Sequence, residues 1–195
     1  MGRKPVADST SHRVVGVAMQ ARDGVLCVVA RGVPRHAGES LEDALNRALD
    51  VRTLTHIEQL ETLLLRDGTL ATAYLGLARP DAELGVGDDR DRDVSRLIDS
   101  AQARLRAKLS YTNIGFALAP EVFTISELRE VYVAALGHDV SPTNLQRVLL
   151  RRGVLERADG HRPPGRTGGR PAALFRFASQ RLEVTDEFAA LRPPR

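Results

Sequence analysis

Two helices that cannot run on into one another constrain this chain more than any other feature of its sequence. Thr124-Ile125-Ser126-Glu127 has the form of a capping box, in which the threonine hydroxyl and the glutamate carboxylate each satisfy an amide left open at a helix start. Phe123 before it and Leu128 after it stand where a hydrophobic staple closes. Ile125, Leu128, Val131, Tyr132 and Leu136 recur at helical spacing, and Gly137 supplies a left-handed stop. Ser141-Pro142 then opens a second helix, with serine as cap and proline at the first helical position. Leu145, Val148 and Leu149 make its inner face, and Gly153 ends it. Only His138 to Val140 lie between the two. So short a connection with a glycine is the pattern of a helix-turn-helix.

The rotation of about 100° per residue decides what the second helix shows to its surroundings. With Leu145 inward, Thr143, Arg147 and Arg151 turn to the opposite side and Asn144 lies beside them. Arginine can bond guanine bidentately and asparagine can bond adenine, so this face is equipped for the major groove; Gln146 joins the candidate contacts. Leu150 also turns outward, toward a thymine methyl or the hairpin that follows. Val154 to Arg157 and Ala172 to Phe177 alternate as two short strands. The loop between them, Gly160 to Pro171, carries Arg162, Arg166 and Arg170 among glycines and prolines, where they can reach phosphates or a minor groove. Gly165-Arg166-Thr167-Gly168-Gly169 is not a phosphate loop, because the lysine and the following helix are missing. The span 123–177 thus reads as a complete winged helix-turn-helix. From Arg147 to Arg176, eight arginines stand against Glu156 and Asp159, a local charge of +6 in a chain whose total is +3. That excess is the electrostatic footprint of a phosphate-binding face.

The residues upstream have another character. Arg13 to Ala21 and Val25 to Arg31 are apolar, β-branched runs around Asp23-Gly24, a strong hairpin signal. Ser40 with Asp43 opens a helix carrying Leu41, Ala44, Leu45, Ala48 and Leu49. Leu60 to Leu65 and Leu70 to Leu77, around Asp67-Gly68, form a second hairpin. Pro80 to Arg92 is a polar loop. A helix beginning at Asp93 follows, with Val94, Leu97, Ile98, Ala101, Leu105 and Leu109 along one side. The class is α+β.

Gly38-Glu39-Ser40-Leu41-Glu42-Asp43-Ala44, followed by Arg47, resembles the Nudix box, whose helix presents glutamates that hold magnesium against a pyrophosphate. Aligned on Glu39 and Arg47, the box positions after the arginine depart from it. Its glutamates fall at Ala48, Val51 and Arg52, and its closing glycine at Leu54. Three missing carboxylates cannot support the hydrolysis, so neither a metal nor a cofactor is expected. A fold stripped of its catalytic groups can still bind a ligand, and Arg31, Glu39, Arg47 and Arg52 are the candidate effector-binding residues. Each arginine has a plainer role open to it: Arg31 ending a strand in solvent, Arg47 pairing with Glu39 or Glu42, Arg52 facing water.

Composition excludes several classes. Aromatics are 4% and tryptophan is absent, which disfavours binding single strands by base stacking. The single cysteine, Cys27, permits no internal disulfide or thiolate metal site, and its apolar run suggests a buried small residue. No apolar run approaches the roughly 20 residues of a membrane helix, and Met1 to Ser11 lacks the apolar stretch of a signal peptide, so the expectation is a cytoplasmic protein with no membrane partner.

Arg104-Leu105-Arg106-Ala107-Lys108-Leu109-Ser110-Tyr111-Thr112, Phe123-Thr124-Ile125-Ser126-Glu127-Leu128-Arg129, Asn144 with Arg147, and Gly169-Arg170-Pro171 ahead of Leu174-Phe175-Arg176-Phe177 together resemble the C-terminal half of the Nudix-related transcriptional regulators, the NrtR family. The resemblance implies a Nudix-like α/β sandwich followed by a winged helix-turn-helix. It further implies a homodimeric repressor of NAD-metabolism genes on a palindromic double-stranded operator, released or recruited by ADP-ribose or a related nucleotide. Some relatives control sugar catabolism instead, with a sugar-derived effector. Here the first domain is short, and Gln146 and Val148 stand where relatives often carry basic residues. The expected division is 12–118 for sensing and dimerisation, 119–180 for DNA binding, and 181–195 as a C-terminal tail. A Nudix hydrolase with an accessory winged helix and a protein-binding winged helix are the alternatives.

Overall fold

Two antiparallel hairpins joined side by side make the first half of the molecule. In this computed structural model, which describes residues 11–85, 87, 91–163 and 171–186, β1 (His12–Arg22) and β2 (Val25–Pro34) meet at the Asp23-Gly24 turn. β3 (His56–Leu64) and β4 (Leu70–Ala78) form the second hairpin. β1 and β4 pair in parallel, giving one mixed sheet in the order β2-β1-β4-β3. Helix α1 (Leu41–Ala48) covers one face and α2 (Arg92–Tyr111) the other. Covered on both sides, β1 is buried without a break from Val14 to Ala21, which explains its continuous apolar run. Gly16 lies directly beneath Leu49: a Cβ added there would stand 2.4 Å from the leucine Cγ.

Helix starts follow the sequence signals, with two differences. Ser40 Oγ accepts the Asp43 amide at 3.0 Å, but the Asp43 carboxylate accepts the Ser40 hydroxyl at 2.7 Å rather than the Ser40 amide, as suits a side chain one methylene shorter than glutamate. The long helix is capped by Asp91, whose Oδ1 accepts the Val94 amide at 2.8 Å, so it begins at Arg92, ahead of Asp93. Its Val94, Leu97, Ala101, Leu105 and Leu109 are buried. Lys108 crosses from this helix to Glu58 on β3 at 2.7 Å, and His56 stands 3.2 Å from the same carboxylate oxygen. Burial pushes the Glu58 carboxyl up, but the bonds from Lys108 and His56 outweigh it and hold it below the ordinary range.

The second half carries both expected helices. In α3 (Ile125–Leu136) both halves of the capping box are made: Thr124 Oγ1 accepts the Glu127 amide at 3.2 Å, and Glu127 Oε2 accepts the Thr124 amide at 2.7 Å. Ala135 rather than Leu136 is buried on its last turn, and Gly137 stops it at φ 76°. Next come α4 (Pro142–Arg151), β5 (Leu155–Arg162) and β6 (Ala172–Phe177). β5 continues past Gly160, where a loop was expected, through a register shift between Arg157 and His161. Phe123 exchanges both backbone hydrogen bonds with Phe175, at 2.9 and 2.8 Å, tying the entry of α3 to the wing. One hydrophobic cluster runs from Val17 and Leu75 in the sheet, through Leu105 of α2, to Phe123, Tyr132, Leu149 and Phe177. Among the described residues no helix is long and apolar enough to cross a membrane, and Cys27, expected to be buried, is exposed on the sheet-edge strand β2.

Candidate nucleic-acid interface and effector cleft

The inner side of α4 is fixed by Leu145 and Leu149, both buried, and its start by Ser141, whose Oγ accepts the Asn144 amide at 3.4 Å. That anchoring turns Thr143, Asn144, Arg147 and Arg151 to solvent, all four exposed, while Gln146 is half-buried on the flank. Arg147 Nη2 donates to Asn144 Oδ1 at 2.7 Å, so two of the expected reading residues are bonded to each other. Leu150 is 40% exposed beside them. Arg129 of α3 stabilises the turn between the helices by pairing with Asp139 and donating to Val140 O at 2.8 Å.

The arginine-rich run is less uniform than its charge suggested. Arg162 lies at the end of β5 and pairs with Glu127 at 3.1 Å, so the wing is tied to the cap of α3. Burial raises the Glu127 carboxyl, but the Thr124 amide and Arg162 more than offset it and hold it down. Arg157 stacks 5.8 Å over the Phe175 ring, and Arg176 bonds Glu156. Arg152, counted in the basic run, turns inward instead, donating to Ser110 O at 3.2 Å and Thr112 O at 3.1 Å. Arg166 and Arg170, the other two expected wing contacts, lie outside the described residues. Of the described arginines in this run, Arg147 and Arg151 are therefore the pair on the outward face of α4.

In the first half, a cleft of about 550 Å³ opens between the end of α1, the 3-10 turn Val51–Thr53, the sheet residues Ala18 and Val29, and Leu84 and Gly85. Arg31, Arg47 and Arg52 all line it. Glu39 does not, but it clasps Arg47: Nε to Oε1 at 2.8 Å and Nη2 to Oε2 at 2.9 Å, with Pro34 O accepting from Nη2 at 2.6 Å. The Arg47 bonds, and then the His36 amide, bring the Glu39 carboxyl down to about 2. Arg52 is held by Asp50, whose two oxygens accept from Nε at 2.9 Å and Nη2 at 3.0 Å. Arg47 thus makes its plainer pairing alongside the cleft position, and Arg52, expected to face water, does so while paired with Asp50. Leu54, where the Nudix box would end in glycine, packs on the sheet so closely that a Cβ on Gly76 would be 2.6 Å from it. Among the described residues no group of three His, Cys, Asp or Glu is arranged to hold a metal ion. Asn46, Thr53, Leu84 and Gly85 also line the cleft and were not identified from sequence; the last two come from a loop more than thirty residues from α1 in the chain and carry no local signal.

Comparison with known proteins bears on both halves. Residues 115–177 match the model of the NrtR DNA-binding winged helix domain. Over 84 residues the chain is 38% identical to the ADPR responsive transcriptional repressor NtrR of Acinetobacter baylyi, a stretch that covers 43% of this chain and 32% of that protein. The match therefore spans about a third of the relative's length. The fold is similar to Shewanella oneidensis NrtR crystallised with a 27mer DNA, at a TM-score of 0.64 and 23% identity, covering 85% of this chain and 92% of that one. It is also similar to a MutT/nudix family protein from Enterococcus faecalis, at a TM-score of 0.59 and 17% identity, covering 89% and 90%. The first half is Nudix-like in fold, and the second is a winged helix-turn-helix similar to the NrtR DNA-binding domain.

Proposed function

We propose that this chain, an NrtR-type winged helix joined to a Nudix-like domain, is a transcriptional repressor that binds double-stranded DNA. What supports this most directly is the strip of Thr143, Asn144, Arg147 and Arg151, exposed on a helix whose opposite side is locked into the core. Side chains of these types read base edges in the major groove, with Gln146 on the flank. Arg162, Arg166 and Arg170 of the wing contribute phosphate or minor-groove contacts. A homodimer presents two such helices to the half-sites of a palindrome, spaced by a turn of duplex or a small multiple of it. Residues 12–118 carry sensing and dimerisation, 119–180 carry DNA binding, and 181–195 form a C-terminal tail.

The effector is ADP-ribose or a related nucleotide in the 550 Å³ cleft, with Arg31, Arg47 and Arg52 facing its phosphates. To reach them it competes with Glu39 and Asp50 for the guanidinium groups, and that exchange of partners gives ligand binding a means to move the α1 region. The ligand acts by favouring one of two arrangements of the protein, and the DNA is sensitive to the same choice. Without carboxylates at positions 48, 51 and 52 the domain binds its ligand without hydrolysing it. Footprinting on DNA upstream of the chain's own gene, with and without ADP-ribose, tests the reading. A protected palindrome whose protection changes with ADP-ribose is expected; a duplex protected nowhere contradicts it.

A further inference from the structure

Arg152 is the first residue past the recognition helix, and its guanidinium leaves the DNA side altogether. Besides Ser110 O and Thr112 O, it donates from Nε to Thr185 Oγ1 at 2.9 Å. Ser110 and Thr112 stand at the end of α2, the helix that covers the sheet of the sensor half. Thr185 belongs to the segment after the wing, which crosses back over the same junction. There the Thr185 and Asp186 amides donate to Tyr111 O at 2.8 and 3.1 Å, and Val184 bridges Thr112. Asn113, buried, holds the segment from both sides: its Nδ2 donates to Arg181 O at 2.8 Å, and its Oδ1 accepts the Glu183 amide at 2.8 Å. Farther along, Arg79 at the end of the sheet donates to Gln180 Oε1 at 2.8 Å, and the Ala178 amide donates to Val154 O at 3.0 Å.

The geometry points to a positioning role for Arg152 and the strap 179–186. Together they lock the C-terminal end of α4 to the end of α2, so that the direction of the reading face is set by the sensor half. The strap is tied to the wing by Ala178, to the helix junction by Asn113 and Tyr111, and to the sheet by Arg79. The Arg152 side chain joins the end of α4, the strap and the end of α2 at a single point. This rests on the reading of α4 as the DNA-reading helix, but the latch itself is a property of the protein without DNA.

The test uses the full chain with Arg152→Gln, Thr185→Val and the two combined. The first readout is hydrogen exchange of peptides covering 179–186 and 110–113 in the absence of DNA. The second is the salt dependence of binding to an operator recovered by selection from random duplexes. Arg152→Gln is expected to speed exchange in both peptides and weaken operator binding roughly tenfold, as loss of charge-assisted bonds does. The slope of affinity against salt is expected to stay that of the parent, because no phosphate contact is lost. Thr185→Val is expected to share the defect, and the double variant to add little to Arg152→Gln, as for residues in one network. A slope reduced by about one unit makes Arg152 a phosphate contact and overturns the assignment. So does unaltered exchange in the strap, or fully additive losses. Should the parent chain bind no duplex, the DNA reading fails, and the exchange measurement still decides whether the latch exists.

Discussion

Asn144 and Arg147 meet solvent already bonded to each other, at 2.7 Å. A guanidinium held by a neighbouring amide loses less side-chain freedom when it takes a base, and a fixed fork is what bidentate recognition of guanine needs. Arg147→Ala is expected to cost about 1–3 kcal/mol of operator affinity and to relax the preference at one base position, measured against single-base variants of the operator. An equal loss on every duplex would reassign that arginine to the phosphate backbone. In the Nudix-like half, Glu39, which aligns with a box position, is bonded to an arginine. Its carboxyl is brought down to about 2 chiefly by the bonds from Arg47. The clasp is therefore complete above the ordinary glutamate value and is lost as pH falls through about 2. A carbon-detected titration of Glu39 is expected to show that low midpoint, and Arg47→Gln to return it toward the ordinary range. A midpoint already ordinary in the parent chain means the clasp does not hold in solution.

At the scale of elements, what was written locally was legible. Caps and stops need only neighbours within four residues, and Thr124-Glu127, Ser141-Pro142 and Gly137 sit where their chemistry placed them. Replacing Thr124 with Ala leaves the Glu127 amide without its acceptor and is expected to cost about 1 kcal/mol, read as a lower midpoint in thermal unfolding. An unchanged midpoint removes the box from the account of what fixes α3. Hairpins around Asp23-Gly24 and Asp67-Gly68 were legible for the same reason. Non-local features were not. The parallel pairing of β1 with β4 joins segments over fifty residues apart, and nothing in either run specifies it. Leu84 and Gly85 reach the cleft because the chain after β4 folds back over β2. Arg152 carried the same positive charge as Arg147 and Arg151, and a count of charges could not tell an arginine turned to solvent from one donating to backbone carbonyls. Where the site depends on helical phase it was readable; where it depends on which surfaces meet, it was not.

At the scale of the whole molecule, one core runs from the sheet through α2 into the winged helix, so α4 is built onto the Nudix-like half rather than hung from a flexible link. Such a body suits control by a ligand, because a shift at α2 has packed side chains and the strap to act through. The first half has the Nudix-like fold without the box carboxylates, so ADP-ribose incubated with the chain and magnesium is expected to be recovered intact; cleavage of its pyrophosphate into two phosphomonoesters, resolved by chromatography, would restore the hydrolase alternative. The central claim is that the outward face of α4 and the wing grip a duplex through phosphates and bases. The most direct test is the affinity for a selected operator duplex, measured across a range of salt concentrations. The account predicts a steep linear fall of log affinity with log salt, at about 0.9 per phosphate neutralised, and loss of that binding when Arg147 and Arg151 are both replaced by alanine. A flat salt response, or binding untouched by the double replacement, would contradict it.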